Sequence, residues 1–134
     1  MTVLDSSAVI AILLREPEAT QFAAAIAAGP PNLLSAASLV EISMVIESRT
    51  GTEGGRDLDL FIYRAGIEIA PVDAEQAELA RIAWRKYGKG RHPAALNYGD
   101  CFAYALAKAT GEPLLFKGTD FGNTDIPCWS GNIT

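Results

Sequence analysis

Short apolar, β-prone runs alternate with longer stretches of helical periodicity along this chain, and that alternation limits the fold more than any other feature. Thr2-Val3-Leu4, Asn32-Leu33-Leu34-Ser35, Ile67 to Ala70 and Pro113-Leu114-Leu115-Phe116 read as strands. A first helix is expected directly after Asp5 and a second near Pro17, the latter stopped by Gly29-Pro30-Pro31. A third places Leu39, Ile42, Val45 and Ile46 on one face, a fourth runs from Arg56 to Arg64, and a fifth is capped by Asp73. A sixth opens at Asn97 or Gly99 and ends at Gly111. Thr50 to Gly55 and Gly118 to Phe121 read as turns, Tyr87 to Ala95 as a loop, and Ile126 to Cys128 as a last short strand. Strands separated by helices pair in parallel, since a parallel connection needs a crossover. The expectation is an α/β fold, a three-layer α/β/α sandwich with a mostly parallel central sheet, built as one domain over residues 1–134.

Composition enters as a set of exclusions. The apolar stretch from Ala8 to Leu14 is too short for a membrane span, which needs about 20 residues, and Met1 to Asp5 lacks the basic start of a secretion signal. A cytoplasmic protein with no membrane partner is expected. Cys101 and Cys128 form no C-x-x-C pair and read as reduced structural residues. The net charge of −5 argues against broad affinity for phosphate backbones. Yet Arg85, Lys86, Lys89 and Arg91 fall within seven positions beside the only histidine, His92. That cluster is either a solvated helix end, favoured by the helix dipole, or a grip on a phosphate chain.

Four carboxylates carry the chemical argument, although each alone has a structural explanation. Asp5 sits where the first strand meets the first helix and suits an N-cap. Glu41 closes a capping box if its helix starts at Ser38, or lies about two turns in if Ser35 is the cap; the residues leave both open. Asp100 falls in a first helical turn, and Asp120 in a turn after a strand. Asp125 is a weaker candidate of the same kind. Taken together, Asp5, Asp100 and Asp120 lie at strand ends or first helical turns, which converge on one edge of a parallel sheet. Carboxylates gathered there repel by roughly 4 kcal/mol per pair at about 4 Å and an effective dielectric near 20. A divalent cation relieves that repulsion. Mg²⁺ or Mn²⁺ suits oxygen donors, whereas the absence of a Cys/His cluster argues against zinc. Such a site suits phosphodiester hydrolysis by an activated water. No Ser-His-Asp arrangement, P-loop or Gly-rich dinucleotide turn is present.

Asp5-Ser6-Ser7, Ser38-Leu39-Val40-Glu41, Tyr98-Gly99-Asp100-Cys101-Phe102-Ala103-Tyr104-Ala105 and Leu115-Phe116-Lys117-Gly118-Thr119-Asp120-Phe121 together resemble a PIN domain, and more narrowly a VapC-type toxin of a type II toxin–antitoxin pair. The resemblance runs from Thr2 to about Ile126. It implies an endoribonuclease that cuts tRNA or another structured RNA with Mg²⁺ or Mn²⁺ held by Asp5, Glu41, Asp100 and Asp120. It also implies outer hydrogen-bonding roles for Ser6 and Thr119, a homodimer, and a VapB-type antitoxin whose C-terminal segment covers the acidic groove. The spacer from Phe121 to Asp125 departs slightly from the family pattern, which leaves the role of Asp125 open. Two other classes stay in view: a catalytically silent PIN-like binding module, and a small metal-dependent phosphatase, whose usual Asp-x-Asp start is absent here.

Overall fold

The computed structural model describes residues 1–129. Four strands, β1 (Thr2–Leu4), β2 (Asn32–Ser35), β3 (Glu68–Ala70) and β4 (Leu114–Leu115), form one sheet in the order β3-β2-β1-β4, and every pair is parallel. Six helices connect them: α1 (Ser6–Leu13), α2 (Ala19–Ala28), α3 (Ala36–Thr50), α4 (Thr52–Ala65), α5 (Ala74–Tyr87) and α6 (Tyr98–Thr110).

The three layers follow from strand periodicity. Successive side chains point to opposite faces, and β1, β2 and β4 are apolar on both. Val3, Leu33 and Leu114 face α5 and α6, where Ala83, Leu96, Tyr104 and Phe121 complete one core. Leu4, Leu34 and Leu115 face the other way, into a second core with Phe22, Ile42, Ile46 and Leu58 from α2, α3 and α4. The register places these residues side by side: Val3 pairs with Leu33 and Leu114, and Leu4 with Leu34 and Leu115. Each fully buried leucine contributes on the order of 1.5–3 kcal/mol. The strands β1, β2 and β4 are therefore buried on both faces, and their C-terminal ends all leave the same edge.

Helix starts at that edge are set by polar caps. Asp5 caps α1, Ser35 caps α3 and Asn97 caps α6. Ser35, not Ser38, opens α3, so Glu41 lies well inside the helix and Ser38 is buried within it. Two expectations need correction. The turn expected from Thr50 to Gly55 shrinks to Gly51, whose φ of +74° breaks the helix, and α4 starts at once. Gly54 makes this possible, because a Cβ there would collide with Thr50 and Ile46 where α4 crosses α3. The short strand expected over Ile126 to Cys128 is a single bridge between Leu114 and Cys128. No helix of the described residues is long and apolar enough to cross a membrane.

Candidate metal centre at the carboxyl edge of the sheet

Asp5 emerges from the end of β1 and is only 3% exposed. Its backbone N–H donates to the Leu115 carbonyl at 2.9 Å, which fixes it against the end of β4. Its Oδ2 accepts the Ser7 N–H at 3.0 Å, the ordinary N-cap bond. Its Oδ1 is buried and has no hydrogen-bond partner among the described residues. Burial pushes the Asp5 carboxyl up to about 7, the Asp100 and Glu41 charges add to the rise, and Ser7 opposes it through its side chain and its backbone N–H.

Glu41 reaches the same place from α3. Its carboxylate lies against Gly99 so closely that a methyl group there would collide with both oxygens. Glycine thus lets the first turn of α6 approach Glu41, and brings Asp100 with it. Glu41 Oε1 is also buried without a partner among the described residues. Asp100 is half-buried in the first turn of α6 and takes part in a capping box: its N–H donates to Asn97 Oδ1 at 2.9 Å, and its Oδ2 accepts the Asn97 N–H at 3.0 Å. Burial raises its carboxyl above the ordinary range, helped by the charges of Glu41 and Asp120. Asp120 begins a short 3-10 turn, Asp120–Asn123, and remains in solvent.

The four acids expected from the sequence therefore share one edge, with Asp5 and Glu41 inside and Asp120 at the rim. None of them forms an ion pair with a Lys or Arg among the described residues. Buried, unpaired carboxylate oxygens fit a hard divalent cation, which accepts such donors at short range. The fit is incomplete as the side chains stand. No three Asp, Glu, His or Cys groups among the described residues converge on one point, because Asp100 is turned back onto its own helix cap and Asp120 stays outside.

Other expected residues fall differently. Ser6 is buried and Thr119 exposed, and neither hydroxyl bonds an acid among the described residues. Ser7 is the hydroxyl residue that touches Asp5. Sequence reasoning gave no role to Ser7 or Gly99 at this site. The doubled serine after Asp5 and a glycine preceding Asp100 were the available signals. In the basic cluster, Lys86 and Lys89 are exposed, whereas the Arg91 guanidinium stacks over Trp84 at 4.0 Å and Arg85 lies 3.7 Å from Glu78. His92 is engaged as well: its Nδ1 accepts the Ala94 N–H at 3.0 Å and its ring meets Tyr87 edge-on. Burial, with Asp100 adding to it, pushes the Cys101 thiol up to about 11, so it stays protonated at neutral pH. Asp125 is not part of the edge. It accepts hydrogen bonds from the Tyr104 hydroxyl at 2.6 Å and from Lys108 Nζ at 2.8 Å.

Comparison with known proteins bears on the family and the fold. The family model described as PIN domain matches residues 2–127. The chain is 56% identical over 124 residues to Ribonuclease VapC30 of Mycobacterium tuberculosis, covering 92% of this chain and 95% of that protein. It is equally similar to Ribonuclease VapC of Mycolicibacterium smegmatis, at 56% identity and 96% of that protein's length. Among solved structures, Mycobacterium tuberculosis VapC20, described as a Sarcin-Ricin loop cleaving toxin, superposes with a TM-score of 0.77 at 17% identity, over 94% of this chain and 96% of that one. VapBC2 from Rickettsia felis, bound to a DNA fragment from its promoter, gives 0.71 at 16% identity, over 96% and 98%. At these identities the structural likeness concerns the fold.

Proposed function

This chain belongs to the PIN domain family, in its VapC branch, and on that premise we propose that it is the endoribonuclease toxin of a toxin–antitoxin pair. In this reading it cuts tRNA or another structured RNA in the cytoplasm, using Mg²⁺ or Mn²⁺ held by Asp5, Glu41, Asp100 and Asp120. The observation that carries the proposal is the buried pair of orphaned oxygens, Asp5 Oδ1 and Glu41 Oε1, in an edge with no neutralising Lys or Arg among the described residues. Left alone, such oxygens cost roughly 1–3 kcal/mol each, and more when charged. A protein retains that cost where another species completes the site.

When bound, the cation supplies Lewis acidity toward a water and a phosphate oxygen. The chain's own residues prepare for it. Asp5 carries a proton in the metal-free protein below about pH 7 and must release it to act as a donor. Glu41 presents its carboxylate across Gly99. Asp100 would join them by giving up its bond to the Asn97 N–H. Asp120 adds charge at the rim, where RNA arrives. No side-chain nucleophile is required, which agrees with a protonated Cys101 and an engaged His92. Lys86 and Lys89, exposed and in no ion pair among the described residues, are placed to meet the RNA backbone, with Arg85 and Arg91 beside them. The partner proposed is a VapB-type antitoxin that covers the acidic edge; the Rickettsia felis VapBC2 complex supports it. A homodimer is also part of the proposal, and Val40, Met44 and Tyr98, at 58%, 69% and 73% exposure, supply apolar surface for it.

The test is incubation of purified, antitoxin-free protein with total tRNA in Mg²⁺, Mn²⁺ or EDTA, beside Asp5→Asn. Discrete fragments that require metal and vanish in the variant are expected. RNA left intact by folded protein under every condition would favour a silent binding module, and turnover of a simple phosphomonoester without RNA cleavage would favour a phosphatase.

A further inference from the structure

Ser7 touches one of the four acids and the segment that leads to another. Its backbone N–H donates to Asp5 Oδ2 at 3.0 Å. Its hydroxyl accepts the backbone N–H of Lys117 at 2.9 Å, although the two residues lie 110 positions apart. Lys117 belongs to the segment that leaves β4 and delivers Asp120. That segment has no regular structure of its own: residues 116–119 lie between the end of β4 and the 3-10 turn, and Gly118 has a φ of +96°. Where Asp120 comes to rest therefore depends on what holds residues 116–119. Within the turn the Thr119 carbonyl accepts the Gly122 N–H at 3.1 Å and Asn123 Nδ2 at 3.3 Å, and the described residues supply three further contacts. The Lys117 N–H bonds Ser7, Lys117 Nζ reaches Glu16 at 2.8 Å and Glu18 at 3.0 Å, and the Phe116 ring packs on Phe121 at 5.1 Å. Of these, only the Ser7 bond connects the segment directly to the residue that holds Asp5.

We infer that Ser7 is a positioning residue that sets the place of Asp120 relative to Asp5 by clasping the Lys117 main chain to the first turn of α1. The inference rests on the nuclease reading. Ser6, beside it, is buried and makes no such link among the described residues. Threonine at position 7 keeps the hydroxyl, and alanine removes it, with its effect on the Asp5 carboxyl, while leaving the N–H that bonds Asp5. Partners one step behind a metal's own donors typically change affinity by about 10- to 100-fold.

The decisive experiment is calorimetric titration of Mn²⁺ into wild type, Ser7→Ala, Ser7→Thr, Asp120→Asn and the Ser7→Ala/Asp120→Asn double variant. Amide exchange at Lys117 is followed in the same proteins. Ser7→Ala is expected to weaken Mn²⁺ binding about 10-fold and to speed exchange at the Lys117 amide, with Ser7→Thr close to wild type. In the Asp120→Asn background the same change should cost no more than about threefold, because residues that act through one another are not additive. An equal cost in both backgrounds, or Thr no better than Ala, would overturn the inference and leave Ser7 as an ordinary part of the helix start. Failure of the nuclease reading looks different: wild type would bind no Mn²⁺ and the inference would fall with it, even if the Lys117 amide still answered to Ser7.

Discussion

Asp5 and Asp125 are the same side chain in opposite circumstances. Asp125 has two partners, Lys108 Nζ and the Tyr104 hydroxyl, and they hold its carboxyl down to about 2. Asp5 has one backbone N–H and one orphaned oxygen, and burial pushes it up to about 7. Asp125 is therefore complete within the chain: it joins α6 to the C-terminal segment and satisfies a buried tyrosine. Asp5 is incomplete, and so is Glu41 beside it. A carboxylate that the fold satisfies supports structure, whereas one that the fold buries unsatisfied leaves a place that a species from outside can complete. Position near the end of an element does not separate them; the motif strings set Asp5 among the four acids and left Asp125 a weaker candidate with an open role.

The comparison implies opposite responses to substitution. The largest effect is expected at Asp5. Asp5→Asn should lower RNA cleavage by more than the roughly 100-fold typical of losing an outer partner. The same change should stabilise the metal-free protein above pH 7. The sign follows from the raised pKa: the folded state holds a proton that the unfolded state has released, so stability falls as pH rises from 3.8 toward about 7. Asparagine has no such charge and caps the helix equally well. Thermal melts of metal-free protein at pH 5 and pH 8 measure this, and a less stable variant at pH 8 would break the contrast.

Gly99→Ala sharpens the contrast at Glu41. The added methyl meets the far end of a flexible side chain, so Glu41 can swing away. Cleavage should drop about 10-fold, as when an outer partner is removed, while stability changes by less than about 1 kcal/mol. A large loss of stability with activity retained would show that Gly99 serves packing alone.

Asp125→Asn should do the reverse of Asp5→Asn. Activity should be unchanged, and stability at pH 7 should fall by no more than about 1 kcal/mol, because the Lys108 pair is solvent-screened. The depressed pKa places this contribution above pH 3.8, fading as pH falls toward about 2, so the variant and wild type should melt alike in strong acid. Equal melting at pH 7 would deny the pair its structural role.

The smallest effect concerns the basic cluster. Replacing Lys86 and Lys89 by Gln should reduce the salt slope of RNA binding by about 0.7 for each phosphate that is no longer neutralised. An unchanged slope returns both lysines to a solvated helix end.

Much of the fold was legible because its signals are local. Strand alternation sorts Val3, Leu33 and Leu114 from Leu4, Leu34 and Leu115, and the breakers Gly29-Pro30-Pro31 and Gly111 stand in plain view. What escaped depends on packing between distant segments. Gly54 reads as a turn residue until α4 is seen to cross α3 over it. The choice between Ser35 and Ser38 as the cap of α3 turns on where β2 ends, and so on its pairing with β1 and β3. At the site, the motif strings singled out the four acids, but not the contacts around them. Ser7 meets Lys117 across 110 residues, and Gly99 matters because of Glu41 on another helix.

The most direct test is the thermal shift that Mn²⁺ produces at pH 7.5 in wild type, Asp5→Asn and Asp125→Asn. A cation that binds only the folded state raises stability by mass action, by about 2.7 kcal/mol at a hundredfold excess over Kd. The account predicts a concentration-dependent rise in Tm for wild type and for Asp125→Asn, and none for Asp5→Asn. Equal shifts in all three proteins, or a shift absent only in Asp125→Asn, would contradict it.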